Sequence, residues 1–410
     1  MRKVMLTLSV AAVSLLAMAI FNFLMDPFLV FSKQDEAYLQ LQRYAIGKNE
    51  RMHKAAQIDY YEPDLLVLGW SRARDGINPL HPEFLKRFDS PYNAAQAVQR
   101  LQEAQAYYHH ARCAGRLKAV LWGVDFGMFA AKHDAFNRSY RPGLLRDEEC
   151  RGQPLWEKLR ISFSWHTTKA ALRQLYQLNR PNFFTDRGMT NPAYYRITKR
   201  QPMQQFLRAE RQYFDDTYAD YELGAENLRV FREVLLAAHQ HGHEFVLFFS
   251  PSHPRLWEVL DIRIGWHVFE QWKREMVRIN EEVAGEVGRS PFPLWDFTGY
   301  HPLHIEALPE ADERRPVMQN YWDTSHFKER LGNILIRRLY DTENKYKSFG
   351  QRLTGDTIEQ HLNRLRVQRA AWLRQNPELR KDMRQALLKD MPPCVKGGEA
   401  GCPIGEAVTP

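Results

Sequence analysis

The sequence predicts an α/β fold: a doubly wound parallel sheet of five strands, with an apolar helix in front of it and a helical insertion within it. Three observations predict this. Short runs that are apolar on both faces, each too short for a helix, recur along the chain. Stretches with helical spacing separate them, and a charge-free apolar segment opens the chain. Strands buried on both faces and alternating with amphipathic helices form a parallel sheet covered on both sides, and right-handed crossovers wind it in two directions.

Arg2 and Lys3 precede the apolar run from Val4 to about Met25, which is long enough for the roughly 20 helical residues that cross a hydrocarbon layer. The positive flank is expected to stay cytoplasmic and to send the chain after Asp26 outward. A cleaved signal peptide is the alternative, because Ala17-Met18-Ala19 fits a small-residue cleavage site. The apolar residues Ile20, Phe21, Phe23 and Leu24 beyond that point favour an uncleaved anchor over residues 1–25. On either reading the body is exported. The expected location is the inner (cytoplasmic) membrane, single-pass, with the domain on the periplasmic side.

Residues 26–60 read as a helical lead-in to a domain over 61–345. Its first strand is Asp64-Leu65-Leu66-Val67-Leu68-Gly69, stopped by glycine. A second lies at Pro91-Tyr92-Asn93, followed by helical spacing from Ala97 to Ala111, and a third runs from Leu117 to Val124. Glu222 to His241 is a helix with Gly242 as its stop. Glu244 to Phe249 is the fourth strand, Phe269 to Val287 a helix, Pro293 to Phe297 the fifth strand and Phe327 to Tyr340 the closing helix. Between about 130 and 221 the strand signals fade into a helical insertion, expected as a wall or lid over the crevice beyond the strand ends. Residues 346–410 read as a charged helical extension ending in a Pro/Gly-rich tail.

A chain of 410 residues with 44% hydrophobic and 26% charged content is globular in composition, which excludes a disordered or polytopic membrane chain. The net charge of +8 is spread along the sequence and no nucleic-acid-binding motif accompanies it, so no nucleic acid is expected as partner. The four cysteines, Cys113, Cys150, Cys394 and Cys402, permit two bridges in an oxidising compartment; Cys394 with Cys402 is the favoured pair, because it closes a short loop in an otherwise unordered tail. No Cys-x-x-Cys pattern is present. The His239-Gln240-His241-Gly242-His243 cluster sits at a helix C-terminus, where the dipole alone favours histidine, so no metal and no cofactor is expected.

Two segments carry chemistry. Leu68-Gly69-Trp70-Ser71-Arg72 puts a hydroxyl at the mouth of the first strand. Serine needs a base to take its proton, and Asp323-Thr324-Ser325-His326 offers one, with a carboxylate spaced to turn back onto the imidazole and fix its tautomer. Taken singly, the first is an ordinary turn and the second a helix cap; their occurrence together, at the first and last strands, points to acyl transfer. Ser250-Pro251-Ser252-His253 after the fourth strand is placed to line the crevice. Arg72 and Arg74 are placed to hold an anionic group or to lie in solvent.

These blocks resemble the SGNH or GDSL hydrolase superfamily, whose first block carries the serine and whose last is Asp-x-x-His. With Asn22 and Asp26-Pro27-Phe28 after the apolar helix, the chain is similar to its membrane-anchored, DltD-like members, the D-alanine transfer proteins of teichoic acid modification and other partners of membrane-bound O-acyltransferases. The likeness runs from about Asn22 to Tyr340. It implies an SGNH-hydrolase, flavodoxin-like sheet and an oxyanion hole drawn from the serine N–H, a second-block glycine and a third-block asparagine. Here Asn93-Ala94-Ala95-Gln96 lacks the glycine, leaving the Ala94 or Ala95 N–H as donor, and Gly123-Val124-Asp125-Phe126 has Asp125 in place of the amide. An ionised carboxylate cannot donate to an oxyanion. The expected function is therefore acylation, by acetyl or another small acyl group, of a cell-envelope glycan or acyl-carrying polymer, beside a membrane-bound O-acyltransferase. An esterase of the same fold, or a silent scaffold subunit, is the alternative.

Overall fold

The computed structural model describes residues 1–33, 44–132, 137–152, 154–176, 181–198, 202–308, 318–341 and 345–389. Its six-stranded sheet comprises β1 (Leu65–Leu68), β2 (Pro91–Asn93), β3 (Ala119–Gly123), β4 (Glu244–Phe249), β5 (Leu294–Asp296) and β6 (Gln351–Leu353), in the order β2-β1-β3-β4-β5-β6. The sheet is mostly parallel: β1 pairs in parallel with β2 and β3, and β4 with β5. The five expected strands are present. β6, antiparallel to β5, corrects the count to six. It escaped the sequence because Gln351-Arg352-Leu353 is short and polar at an edge, where only one face needs apolar residues.

The chain divides into two compact units, the first comprising Met1–Trp122 and Ala135–Thr198, the second Gly123–Asp134 and Lys199–Pro410. The stretch read as one insertion is thus shared: 135–198 goes with the first unit, and 130–134 and 199–221 with the second. Its described part includes the α-helices Pro154–Ser162, Trp165–Leu175, Pro192–Thr198 and Pro202–Gln212, with turns and an isolated antiparallel bridge between Phe184 and Thr190.

In the first unit every residue of β1 is buried, as a strand covered on both faces requires. Asp64 sets the pairing at its start: the carboxylate accepts the Asp89 and Ser90 N–H groups at 2.8 and 2.9 Å, and the carbonyl accepts Lys118 and Ala119 N–H. The helix Glu50–Tyr61 brings charged side chains inward, and they are paired there. Arg51 binds Glu103 at 2.6 Å, Arg74 binds Glu50 at 2.9 Å and Asp75 at 2.8 Å. Lys54, fully buried, gives its ammonium to three carbonyls, those of Asn93, Ala95 and Gly188, at 2.9, 2.5 and 2.9 Å. Burial holds its pKa well below the ordinary lysine value. Cys113 and Cys150 form a disulfide, with Cα atoms 5.3 Å apart. The expected pair Cys394–Cys402 lies outside the described residues.

In the second unit an aromatic cluster forms the core. Phe126 stacks on Tyr221 at 4.2 Å and meets Phe269 and Trp272 edge-on, while Phe249 lies 4.3 Å from Trp272. Each such ring contributes roughly 1.5–3 kcal/mol by leaving water. This explains why the short segment after β3 joins this unit, and Val124 N–H donating to Phe248 O at 2.8 Å ties it there. The helix Ala225–His241 ends at Gly242 with φ 72°, a left-handed turn that suits glycine. His239 stacks on Phe292 at 3.8 Å. Helices Pro254–Ile264, Trp266–Glu286 and Glu329–Tyr340 precede β6, and Ile358–Gln375 and Pro377–Leu388 form the charged extension. Lys273, Asp296 and His361 form a buried polar cluster, Asp296 Oδ2 lying 2.5 Å from Lys273 Nζ and 2.7 Å from His361 Nε2.

Candidate functional site

The sequence-predicted site residues fall into two groups. Ser71, Arg72, Ala94 and Ala95 belong to the first unit, and Asp125, His253, Asp323 and His326 to the second.

At the end of β1 the chain turns at Gly69, whose φ of 136° excludes a side chain. Ser71 then begins the short helix Ser71–Gly76. That helix is held from below by Asn93, whose Nδ2 donates to Ala73 O at 3.0 Å and Ile77 O at 2.8 Å. The segment after β2 is committed to the same turn. Ala94 N–H donates to Val67 O at 2.8 Å, Ala95 N–H to Asn93 Oδ1 at 3.1 Å, and Gln96 N–H to Gly69 O at 2.9 Å. Ala94 and Ala95 are both completely buried. Each of these two N–H groups, expected as candidate oxyanion donors, carries a single hydrogen, which here helps to build the turn.

Two glutamines missed at the sequence level lie in this segment. The Gln96 side chain is fully buried, and neither Oε1 nor Nε2 has a well-formed hydrogen bond among the described residues. The nearby Tyr107 hydroxyl donates to Arg51 O at 2.5 Å instead. Gln99 holds the turn, its carbonyl accepting Trp70 Nε1–H at 2.7 Å, while its own Nε2 has no partner among the described residues. The available signal was their spacing, two amides three residues apart just after a strand. Arg72 and Arg74 are both buried, not solvated. Arg74 is spent on Glu50, Asp75 and the Tyr195 hydroxyl, which removes it as an anion ligand.

In the second unit the Asp-x-x-His segment forms a pinned loop. An isolated antiparallel bridge pairs Tyr321 with Phe327, and Trp322 N–H donates to His326 O at 2.8 Å. Within it Asp323 Oδ1 lies 2.8 Å from His326 Nδ1 and accepts the backbone N–H groups of Ser325 and His326 at 3.0 and 2.9 Å. The carboxylate is 5% exposed and the imidazole 19%, so the pair is shielded while the ring keeps an outer edge. Nδ1 facing a carboxylate carries the proton, which makes Nε2 the basic nitrogen of the neutral ring.

The Ser250–His253 segment, expected to line the crevice, is bonded to this loop. His253 N–H donates to Thr324 O at 3.1 Å, and Ser252 Oγ approaches Ser325 O at 3.5 Å. The His253 ring caps the helix Pro254–Ile264: Nδ1 accepts Arg255 N–H at 3.3 Å and Nε2 donates to Glu306 O at 2.9 Å. His253, expected as a substrate contact, has both ring nitrogens committed to backbone groups, and burial pushes its pKa down to about 4. Asp125 is buried just after β3 and precedes the turn Phe126–Phe129, whose Met128 N–H donates to Asp125 O at 2.9 Å.

The structure thus brings Asp323 and His326 together and builds the turn that carries Ser71. Compared with known proteins, the chain matches no family model and no curated protein.

Proposed function

We propose that this chain is an exported, membrane-tethered acyl-transfer protein of the SGNH type, with Ser71 as nucleophile, His326 as general base and acid, and Asp323 as its orienter. The observation that carries the reading is the Asp323–His326 pair, with Nδ1 held at 2.8 Å by a shielded carboxylate. Supporting it, β1 to β5 follow the doubly wound order 2-1-3-4-5, in which ligands bind beyond the carboxyl ends of the strands. Ser71 follows the carboxyl end of β1, and the histidine loop is bonded to the segment that follows β4. The apolar helix Arg2–Met25 is long enough to span a membrane or to act as a signal sequence, and the Cys113–Cys150 disulfide suits an oxidising compartment.

In this reaction Ser71 Oγ attacks the acyl carbonyl while its proton passes to His326 Nε2, and the leaving group departs with that proton. A hydroxyl of a cell-envelope polysaccharide then attacks the acyl-serine, gives its proton to His326, and leaves Ser71 Oγ to take it back. We assign the oxyanion-donor role to the buried side-chain amide of Gln96, whose backbone N–H donates to Gly69 O, because the Ala94 and Ala95 N–H groups are engaged in the turn. A membrane-bound O-acyltransferase is the proposed source of the acyl group. With water as acceptor the same residues make an esterase.

A second reading, a silent scaffold subunit, is favoured by the committed Ala94 and Ala95 N–H groups and by Asp125 in place of an amide. A fluorophosphonate probe separates the two. Labelling of the wild type but not of Ser71→Ala supports catalysis, and an unreactive wild type supports the scaffold. If Ser71→Ala leaves both polymer acylation in cells and hydrolysis of a small activated ester unchanged, the covalent mechanism is wrong.

A further inference from the structure

The helices Pro154–Ser162 and Trp165–Leu175 invert the usual pattern of a surface helix. In the second, the residues turned inward are small or polar: Thr167, Thr168, Ala170, Ala171 and Gln174. Trp165 and Leu172 are turned outward on one stripe, the tryptophan 60% exposed. In the first, Leu155, Trp156 and Leu159 face outward, at 73%, 61% and 45% exposure, while Glu157 and Ile161 face inward. Phe163, in the turn between the helices, is also exposed. Apolar surface of this extent marks a place of contact.

Its position says with what. Both helices pack against the apolar helix Arg2–Met25, and the turn joining them is fixed to it, Asn22 Nδ2 donating to Ser162 O at 2.6 Å and to Ser164 O at 3.2 Å. Ala19, Asn22 and Met25 are the buried residues of that helix, and the apolar side chains before them are exposed. At 1.5 Å per residue, Asn22 lies about 27 Å along the helix from Val4, close to the ~30 Å thickness of a hydrocarbon layer. A bilayer spanned by this helix therefore has its outer headgroup boundary at the 162–164 turn. Tryptophan concentrates at that depth. The charge agrees: residues 154–176 hold Lys158, Arg160, Lys169 and Arg173 against the single carboxylate Glu157, and Lys169 Nζ lies 5.8 Å over the Trp165 ring.

We propose that these two helices are a second membrane contact, lying in the outer interface of the bilayer beside the anchor. Leu155, Trp156, Leu159, Phe163, Trp165 and Leu172 enter the acyl–headgroup boundary, and the exposed Lys169 and Arg173 meet anionic phosphate. The inference rests on the N-terminal helix being retained as an anchor and is independent of the chemistry at Ser71. It makes the first unit a body seated on the membrane.

The test is tryptophan quenching by brominated lipid. The full chain is reconstituted in phosphatidylethanolamine–phosphatidylglycerol vesicles containing dibrominated acyl chains. Of the ten tryptophans, none lies in the anchor, and the remaining eight are buried or half-buried. Wild-type emission should be quenched, and Trp156→Phe/Trp165→Phe should lose most of that quenching while keeping the wild-type Tm, because both rings are exposed. Exchanging phosphatidylglycerol for phosphatidylcholine should weaken the wild-type quenching. An unquenched wild type, or equal quenching in the double variant, overturns the proposal; the first result would give the face to a protein partner.

Discussion

The turn carrying Ser71 and the loop carrying His326 are built by opposite means. Around Ser71 the backbone does the building: the N–H groups of Ala94, Ala95 and Gln96 are spent on Val67, Asn93 and Gly69, and Lys54 gathers the carbonyls of Asn93, Ala95 and Gly188 from beneath. Around His326 a side chain does it, with Asp323 accepting from the ring and from two backbone N–H groups at once. The first arrangement yields a rigid platform with its backbone donors used up. The second yields an oriented base. On the proposed reading, one part of the chain supplies position and the other reactivity.

The largest effect is expected at the loop. On the proposed acyl-transfer reading, Asp323→Asn should lower that activity by about 10⁴-fold, because an amide favours the wrong tautomer of His326. It should leave the Cys113–Cys150 unit folded, as near-ultraviolet circular dichroism would report. On the platform, Gln96→Leu should lower kcat by roughly 10²–10³-fold if the amide is the oxyanion donor, while raising stability by about 1 kcal/mol through removal of a buried amide without good partners. Loss of stability with unchanged kcat would return Gln96 to a packing role. Lys54→Met leaves three buried carbonyls without their donor and should cost about 4 kcal/mol in chemical denaturation. Its effect on kcat should follow the fraction folded.

The smallest expected effect comes from the shelf beneath the loop and is pH-dependent. His253 is held near pKa 4, against 6.5 unfolded. The unfolded chain therefore takes up a proton as pH falls below about 6.5, and the folded chain does not until about 4. Stability from this group is full above 6.5 and is lost across that window, by about 3 kcal/mol. His253→Asn keeps a capping acceptor and should flatten that part of the stability–pH curve, measured by urea titration from pH 7 to 4.

Elements whose burial is uniform were legible in the sequence. β1, buried throughout, was legible because such a strand must be apolar, β4 because most of its length is apolar and buried, and Ala225–His241 because its helical apolar spacing ends at a glycine. β6 and the helix Pro254–Ile264 were not, since the one is a short polar edge and the other follows a motif read as crevice lining. The Asp323–His326 pair was legible because its partners are three residues apart, so local geometry nearly closes it.

What the sequence by itself determined is therefore local: the apolar helix, the alternation of strands and helices, and a carboxylate spaced to hold an imidazole. Tertiary structure decided where hydrogens are spent: the Ala94 and Ala95 N–H groups go to the turn, the His253 ring caps a helix, and Arg74 forms an internal ion pair. The physical reason is that each N–H, ring nitrogen or guanidinium has a fixed number of bonds to give. Which partner takes them depends on residues distant in the chain, which no local pattern records.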